Sequence, residues 1–218
     1  MRTHAGGGRH GAQHELTAHG PGGYRRGMPA PADPTPDAPR PDAFAVVWTT
    51  ADAPLARPLV DDLARDYDAR YEPNDGIPSS AELTRYPVEL FTPERGGAFL
   101  ILTETAPADP ALDAPAPIAT AVAGGAFIRV DGDTVEMKRV WTHPDHRRRG
   151  LARRVMAVLE AEALARGYTT AQLTTGARQP EALGLYLRLG YEPLFDLDGD
   201  YEQISYLRFR KVLASPGA

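Results

Sequence analysis

The stretch Arg147-Arg148-Arg149-Gly150-Leu151-Ala152 decides the fold, because a strand is predicted before it and a helix after it. The preceding segment 135–142 is apolar and β-branched, and His143-Pro144-Asp145 follows it as a turn. Apolar residues then repeat at helical spacing through Val155 and Leu159. Because the first N–H groups of a helix lack intrahelical partners, this order predicts a diphosphate cradle, with Gly150 open to the ligand and three arginines beside it. For the hexapeptide alone, the alternative is a tight turn whose arginine side chains are simply solvated.

A second strand–helix unit lies downstream of the basic loop. Segment 169–174 predicts a strand, and a helix should begin at Gln179-Pro180 and end at Gly190. Two motifs then stand in order, Arg147-x-x-Gly150-x-Ala152 and Ala182-x-x-Leu185-Tyr186-x-x-x-Gly190-Tyr191. They resemble the acetyl-coenzyme A loop (Q/R-x-x-G-x-G/A) and the second motif (A-x-x-L-Y-x-x-x-G-F/Y) of the GNAT superfamily of N-acetyltransferases. Because both occur, about one βα unit apart, the chain is identified as a member of that superfamily.

The resemblance implies an α/β fold with a mixed, mainly antiparallel central sheet flanked by helices and with splayed fourth and fifth strands. The patterning of the rest of the chain predicts the other elements. Strands are expected at 44–49, 98–105, 118–129 and 204–211, and helices at 55–71 and from Ser79 or Ser80 to Arg85. The domain is expected over 43–213, between a disordered Gly/Pro-rich tail at 1–42, in which Met28 could be the true start, and a short tail at 214–218.

The composition narrows the class of protein. The chain has 218 residues, a net charge of −5 and no cysteine, which excludes disulfides, thiolate metal sites and a cysteine acyl-enzyme. The mildly acidic balance argues against a nucleic-acid partner, and no apolar run approaches the ~20 residues that cross a bilayer. A cytoplasmic protein without a membrane or nucleic-acid partner is expected, and a homodimer stays open. His143 and His146 are expected to be turn residues, and no metal site is predicted.

The contacts with acetyl-coenzyme A, the acyl-donor co-substrate, are implied by the resemblance, residue by residue. Backbone groups of Val140, Trp141 and Thr142 should pair with the pantetheine arm, as an added chain pairs with an exposed strand edge. The expected diphosphate loop comprises Arg147, Arg148, Arg149, Gly150, Leu151 and Ala152. Gln179 stands where the family often has Asn, and its longer side chain can still reach a backbone or pantetheine group.

Two residues are candidates for proton transfer in amine acetylation, which needs a deprotonated amine and a proton for the departing thiolate. Glu136 lies on the strand of the cofactor contacts, eleven positions before Arg147, where the histone-acetyltransferase branch has its catalytic glutamate. The alternative pairs Glu136 with Lys138, which lies on the same face of the strand. Tyr186 is the predicted general acid and a cofactor contact, since the matching family tyrosine lies near the coenzyme A sulfur. The alternative is an aromatic residue that packs the helix onto the sheet.

The acceptor is expected to be a primary amine of a small molecule, acetylated by direct transfer in a ternary complex. Acidic residues on the predicted acceptor side would favour a cationic amine by steering, with a solubilising acidic face as the alternative, and the nearby aromatic residues suit an apolar amine equally. These are Asp61, Asp62, Asp66, Glu72, Asp75 and the loop 196–202, with Tyr67, Tyr71, Tyr86 and Phe91. Arg139 could line this pocket or pair with a carboxylate. Two other functions stay open: a catalytically silent coenzyme A-binding sensor or partner module, and a protein N-terminal or lysine acetyltransferase.

Overall fold

The fold is organised around one seven-stranded sheet. The computed structural model describes residues 44–105, 119–201 and 206–213, so the predicted tails at 1–42 and 214–218 lie outside it. In chain order the strands are β1 Phe44–Trp48, β2 Ala98–Thr105, β3 Ala119–Arg129, β4 Thr134–Thr142, β5 Thr170–Gly176, β6 Glu192–Pro193 and β7 Tyr206–Val212. Across the sheet they follow the order β1-β2-β3-β4-β5-β7-β6, and among them only β4 and β5 run parallel. This confirms the predicted mixed, mainly antiparallel sheet.

Helices cover both faces of the sheet. They are α1 Arg57–Arg70, α2 Leu151–Ala165 and α3 Pro180–Arg188. Helix α1 packs on one face together with Phe99 and Ile101 of β2. Helices α2 and α3 pack on the other face, together with Leu100 and Leu102. Because successive residues of a strand point to opposite faces, β2 contributes to two separate cores.

The helices before β2 differ from the prediction. Helix α1 begins at Arg57, two residues later than expected, because Pro54–Ala56 forms a 3-10 turn. The second predicted α-helix is wrong: Ser79–Thr84 is a 3-10 helix, and no side chain caps it. The Ser79 hydroxyl donates instead to the carbonyl of Glu72, at 3.2 Å. Prolines at positions 78, 87 and 93 interrupt this segment, and since the residue before a proline disfavours the α conformation, a longer helix cannot form.

Strand β4 contains a β-bulge. Between the pairs Gly124–Trp141 and Ala126–Lys138, β4 has one residue more than β3. Arg139 lies in this bulge with a left-handed φ of 57°, a conformation that costs a non-glycine residue about 1–2 kcal/mol. Because a bulge bends its strand and increases the local twist, β4 changes direction at Arg139.

The parallel strands β4 and β5 part just before this bulge. They pair from Thr134–Thr170 to Met137–Leu173, and no pair between these two strands follows. Beyond that point the edge of β4 that faces β5 pairs with none of the described strands, although β5 continues to Gly176. This confirms the splayed fourth and fifth strands, and a cleft lies between them.

Candidate active site

A cleft of about 2700 Å³ runs between β4 and β5 and over the loop before α2. Its walls come from α1, the 3-10 segment at 79–84, β4, β5 and α3. A site for one small ligand has roughly 300–1,000 Å³, so this cleft has room for two substrates. Glu136, residues 140–142, Gly150 and Tyr186 all line it.

The loop before α2 presents unpaired backbone donors to the cleft. Gly150 precedes α2 with φ 79° and ψ 5°, and no side chain caps the helix. The first bond of the helix runs from the N–H of Arg154 to the carbonyl of Gly150, at 3.1 Å. In the described part of the chain, the N–H groups of residues 150–153 therefore have no protein acceptor. A Cβ on Gly150 would meet no atom within 4 Å, so the space above these donors is open.

The three arginines of the loop have different surroundings. Arg147 and Arg148 line the cleft. The guanidinium of Arg149 instead pairs with Glu104, at 3.1 Å, and His146 Nε2 lies 2.9 Å from the other carboxylate oxygen of Glu104. The hydrogen bond with His146 and the charge of Arg149 hold the pKa of Glu104 below its usual range. Glu104 thus anchors the loop to the end of β2, a contact that the sequence analysis missed because no local pattern links these residues.

The cradle and the strand edge fit a coenzyme A-like ligand. A diphosphate needs donors that converge without a side chain between them, and the free N–H groups at the positive end of α2 meet this need with Arg147 and Arg148 beside them. The unpaired edge of β4 at residues 140–142 borders the same cleft, where it can pair with an amide-bearing arm. The Thr142 hydroxyl is buried there and has no hydrogen-bond partner among the described residues.

The side-chain oxygen of Gln179 forms hydrogen bonds with neighbouring residues. Its Oε1 accepts hydrogen bonds from the Thr175 hydroxyl at 2.7 Å and from the N–H of Gly176 at 3.3 Å. These bonds fasten the end of β5 to the start of α3. The amide NH₂ of Gln179 is the group that is left to donate to a ligand.

Tyr186 lines the cleft from the face that carries α2 and α3. Its side chain is 7% exposed, and its ring centroid lies 5.9 Å from that of Tyr191 and 5.7 Å from that of Phe209. Burial raises the pKa of the phenol, and the nearby Tyr67 raises it further. A phenol with a raised pKa keeps its proton at neutral pH, so Tyr186 packs the core with its ring and has a proton to donate.

Glu136 lines the cleft from the opposite face of the sheet. Its Oε1 lies 2.7 Å from Lys138 Nζ, and both side chains are 16% exposed. Lys138 also donates to the Tyr86 hydroxyl, at 2.9 Å. Burial by itself would lower the pKa of Lys138, but the hydrogen bonds with Glu136 and Tyr86 outweigh it and raise the pKa. The ion pair that the sequence allows is therefore present, and it engages one of the two carboxylate oxygens of Glu136.

The α1 side of the cleft is aromatic and holds Arg139. The guanidinium of Arg139 donates to the carbonyl of Leu83 at 2.7 Å and lies 4.2 Å from the centroid of the Phe91 ring. Of the two options for this residue, lining the pocket is the one observed, and within the described ranges it pairs with no carboxylate. Tyr67 lies on the same wall, and burial raises its pKa to about 12.

One end of the cleft is closed by contacts between α1 and the loop before α3. The side chain of Arg70 donates to the carbonyl of Arg178, and that of Arg178 donates to the carbonyl of Arg70, each at 2.9 Å. Arg70 also pairs with Glu181, at 2.6 Å. A Cβ on Gly176 would overlap the end of the Tyr71 side chain, so a larger residue there would require Tyr71 to move.

The two predicted turn histidines lie just before the loop of α2. His143 and His146 lie at the 3-10 turn Pro144–His146, where His143 Nδ1 accepts a hydrogen bond from the N–H of Asp145 at 3.3 Å. Among the residues with described positions, no group of three or more metal-ligating side chains could hold an ion. Of the helices in the described ranges, none has both the length and the apolar composition to cross a bilayer.

The opened strand pair beside an anion cradle defines a class of protein, the transferases that use acyl-coenzyme A. The sequence model of the acetyltransferase (GNAT) family matches residues 62–191, which is more than half of the 218 residues. The chain therefore belongs to the acetyltransferase (GNAT) family, which uses acetyl-coenzyme A. No curated protein matches the sequence.

Solved structures share the fold over almost their whole length. An acetyltransferase from Streptococcus agalactiae superposes with a TM-score of 0.57 at 19% identity, covering 79% of this chain and 99% of that chain. A proposed acyl-CoA N-acyltransferase from Klebsiella pneumoniae superposes with a TM-score of 0.55 at 23% identity, covering 78% and 98%. A proposed acetyltransferase from Salmonella typhimurium, solved with its cofactor acetyl-CoA, gives 0.52 at 16% identity, covering 81% and 98%. At these identities the likeness establishes the fold.

Proposed function

We propose that this protein is an acetyl-coenzyme A-dependent N-acetyltransferase that acetylates a primary amine of a small molecule by direct transfer in a ternary complex. The observation that carries the proposal is the placement of two proton-transfer groups across the opened sheet. Glu136 lines the cleft on the α1 face and Tyr186 lines it on the α2 and α3 face, with the unpaired edge of β4 between them. Membership of the acetyltransferase family supports the transfer of an acetyl group.

The donor is proposed to bind along β4 and the loop before α2. The N–H groups of residues 150–153, with Arg147 and Arg148, hold the diphosphate, and residues 140–142 pair with the pantetheine arm. Arg149 supports the cradle indirectly, because Glu104 holds its side chain. When bound, acetyl-coenzyme A supplies the thioester whose acetyl group is transferred. The relative from Salmonella typhimurium, solved with acetyl-CoA, supports this choice of donor.

The residues of the cleft are proposed to move two protons. Attack by the amine forms a nitrogen–carbon bond and breaks the carbon–sulfur bond. An alkyl amine has a pKa of about 10 and must lose a proton before attack, and the second carboxylate oxygen of Glu136 accepts it directly or through a water. After attack the newly bonded nitrogen gives up its second proton to solvent, the Tyr186 phenol donates its proton to the departing sulfur, and solvent reprotonates the phenol. Both steps use groups on the wall of one cleft.

The closed end of the cleft supports a small acceptor. An extended peptide needs a groove that is open at both ends, and the reciprocal bonds between Arg70 and Arg178 block one end. This favours a small amine over a lysine side chain within a peptide that runs through the cleft, and the peptides of the acceptor panel test a protein N-terminus. A silent coenzyme A-binding module needs neither Glu136 nor Tyr186 on its cleft wall, so their presence favours an enzyme.

Release of free thiol from acetyl-coenzyme A, measured against a panel of small amines, amino acids and peptides, tests the proposal. We expect turnover with small amines well above the hydrolysis seen without an acceptor. The control is the double variant Glu136→Gln/Tyr186→Phe, which should bind acetyl-coenzyme A as the wild type does and lose turnover. Binding without turnover of any acceptor would identify a silent module, and turnover of peptides alone would identify a protein acetyltransferase.

A further inference from the structure

Arg139 is a cation in the cleft that forms no ion pair with any described residue. Its guanidinium donates to the carbonyl of Leu83 and lies over the Phe91 ring. Burial lowers the pKa of Arg139, and no described carboxylate is close enough to oppose this effect. A guanidinium carries five N–H donors, and Leu83 engages one side of it. Most of the donor fork is therefore available to a ligand in the cleft.

The carboxylates of the same cleft already have cationic partners. Five of the six that line it form ion pairs within the described residues: Asp62 with Arg65, Asp66 and Glu181 with Arg70, Glu82 with Arg85, and Glu136 with Lys138. The sixth, Glu72, is solvent-exposed at the rim. Among the described residues, the acidic steering expected from the sequence is thus largely offset, whereas the partly buried Arg139 keeps a positive charge without an ion-pair partner.

The position of Arg139 assigns it to the acceptor rather than to the donor. It contacts Leu83 and Phe91, which belong to the core on the α1 face. The diphosphate cradle lies at the start of α2, which packs on the other face. Arg139 also holds a left-handed φ of 57° in the bulge, and strain of this kind at a cleft wall is typical of functional positions. Tyr67 and Glu136 line the same cleft, and Tyr67 is close enough to act on the pKa of Arg139.

We infer that the acceptor carries a carboxylate as well as its amine, and that Arg139 binds this carboxylate through its guanidinium fork. The inference rests on the proposed function, because it names the acceptor of the same cleft. An arginine fork matches the two oxygens of a carboxylate and forms two charge-assisted hydrogen bonds with them. Glu136 lies three residues away on the same strand, where it can face the amine. Tyr67 and Tyr86, which line the same cleft, suit an apolar or aromatic side chain, so the acceptor class is an apolar amino acid.

Matched pairs of acceptors test this without any mutation. Phenylalanine and phenethylamine differ by one carboxylate, as do leucine and 3-methylbutylamine, whereas phosphoethanolamine and ethanolamine differ by a phosphate. Rates are compared at equal concentrations of free amine, since the carboxylate lowers the pKa of the neighbouring amine. We expect kcat/KM to be at least tenfold higher for the carboxylate member of the two apolar pairs. A ratio near one, or a preference confined to the phosphate pair, would overturn the inference.

Variants of Arg139 test whether this residue causes the preference for acceptors that carry a carboxylate. In Arg139→Gln the ratio should fall to near one because the amino acid loses affinity, while the simple amine keeps its kcat/KM. Arg139→Lys keeps a charge without the fork and should retain part of the preference. Arg85→Gln is the control, since it removes a cation of the cleft rim that already pairs with Glu82, and it should leave the ratio unchanged. A wild-type ratio of kcat/KM values in a folded Arg139→Gln protein would contradict the role of Arg139. If that variant does not fold, the acceptor pairs measured with the wild type and with Arg139→Lys provide the test.

The failure of this inference and the failure of the proposed function give different results. If no member of any pair releases thiol, the proposed function fails. Phenylalanine and phenethylamine are then titrated calorimetrically into coenzyme A-saturated wild type and Arg139→Gln. Binding of phenylalanine alone, lost in the variant, would still support the carboxylate site. Equal binding of both compounds, or of neither, would overturn it.

Discussion

The substitution Tyr186→Phe removes the hydroxyl of the proposed acid and leaves its ring in place. The ring provides the packing, through its contacts with Tyr191 and Phe209 at 5.9 Å and 5.7 Å. No hydrogen bond from the Tyr186 hydroxyl to the described residues is lost. We therefore expect a melting temperature within a few degrees of the wild type, since a change without lost packing or a lost hydrogen bond is worth about 0.5 kcal/mol or less.

The expected effect on catalysis is larger. If the phenol protonates the departing sulfur, kcat should fall about tenfold to a hundredfold, which is about 1.4–2.7 kcal/mol of transition-state free energy. The loss stays moderate because the coenzyme A thiolate is a tolerable leaving group and water can replace the phenol in part. The affinity for acetyl-coenzyme A should stay nearly unchanged, because the interaction forms mainly in the transition state.

Steady-state kinetics of purified Tyr186→Phe with a turned-over amine provide the measurement, and Tyr191→Phe provides the control. Tyr191 packs edge-on against Tyr186 and is buried in the same core, but it does not line the cleft, so its variant should keep kcat. The raised pKa of Tyr186 keeps the phenol protonated at neutral pH, so the wild-type rate should show no alkaline fall below its ordinary pKa of about 10. A wild-type kcat in Tyr186→Phe would refute the assigned role, and a collapse of its melting temperature would make the hydroxyl structural.

Three further predictions concern the base and the cradle. Glu136→Gln should lower kcat by about 10²–10⁴, with a defect that shrinks as rising pH supplies free amine; a pH-rate profile equal to the wild type would leave Glu136 as the ion-pair partner of Lys138. Gly150→Val should weaken acetyl-coenzyme A binding by about tenfold or more (~1.4 kcal/mol). The control Gly167→Val, which introduces the same left-handed strain at the other end of α2, should weaken it little. Equal affinities of the two variants for acetyl-coenzyme A, measured by calorimetry, would contradict the diphosphate cradle. Glu104→Gln should raise the acetyl-coenzyme A Kd several-fold by loosening Arg149. Because the pKa of Glu104 is lowered, its contribution to wild-type stability should be full above about pH 4.5 and lost as pH falls through the lowered pKa. A variant whose Kd and acid-unfolding curve match those of the wild type would exclude Glu104 as the anchor of the loop.

Local patterns were enough to predict most of the elements that position the site. The helical spacing after Gly150 and the strand before it depend on residues within a few positions of each other, so the strand–loop–helix unit is visible in the sequence. The same holds for Pro180 at the start of α3 and Gly190 after its end. Prediction failed where neighbouring prolines interrupt a segment, and Ser79–Thr84 is 3-10 for that reason.

The sequence by itself therefore determined the family motifs, the order of the elements and the helix-mouth glycine, because each depends on short-range spacing or on backbone conformation. Only the tertiary structure decided which charges meet. Glu104 lies forty-five residues from Arg149 in the chain, and Arg70 lies more than a hundred residues from Arg178. The register of β3 on β4 creates the bulge that contains Arg139, which pairs with none of the described carboxylates. Such pairings depend on strand register and on the packing of distant elements, which no periodicity along the chain encodes.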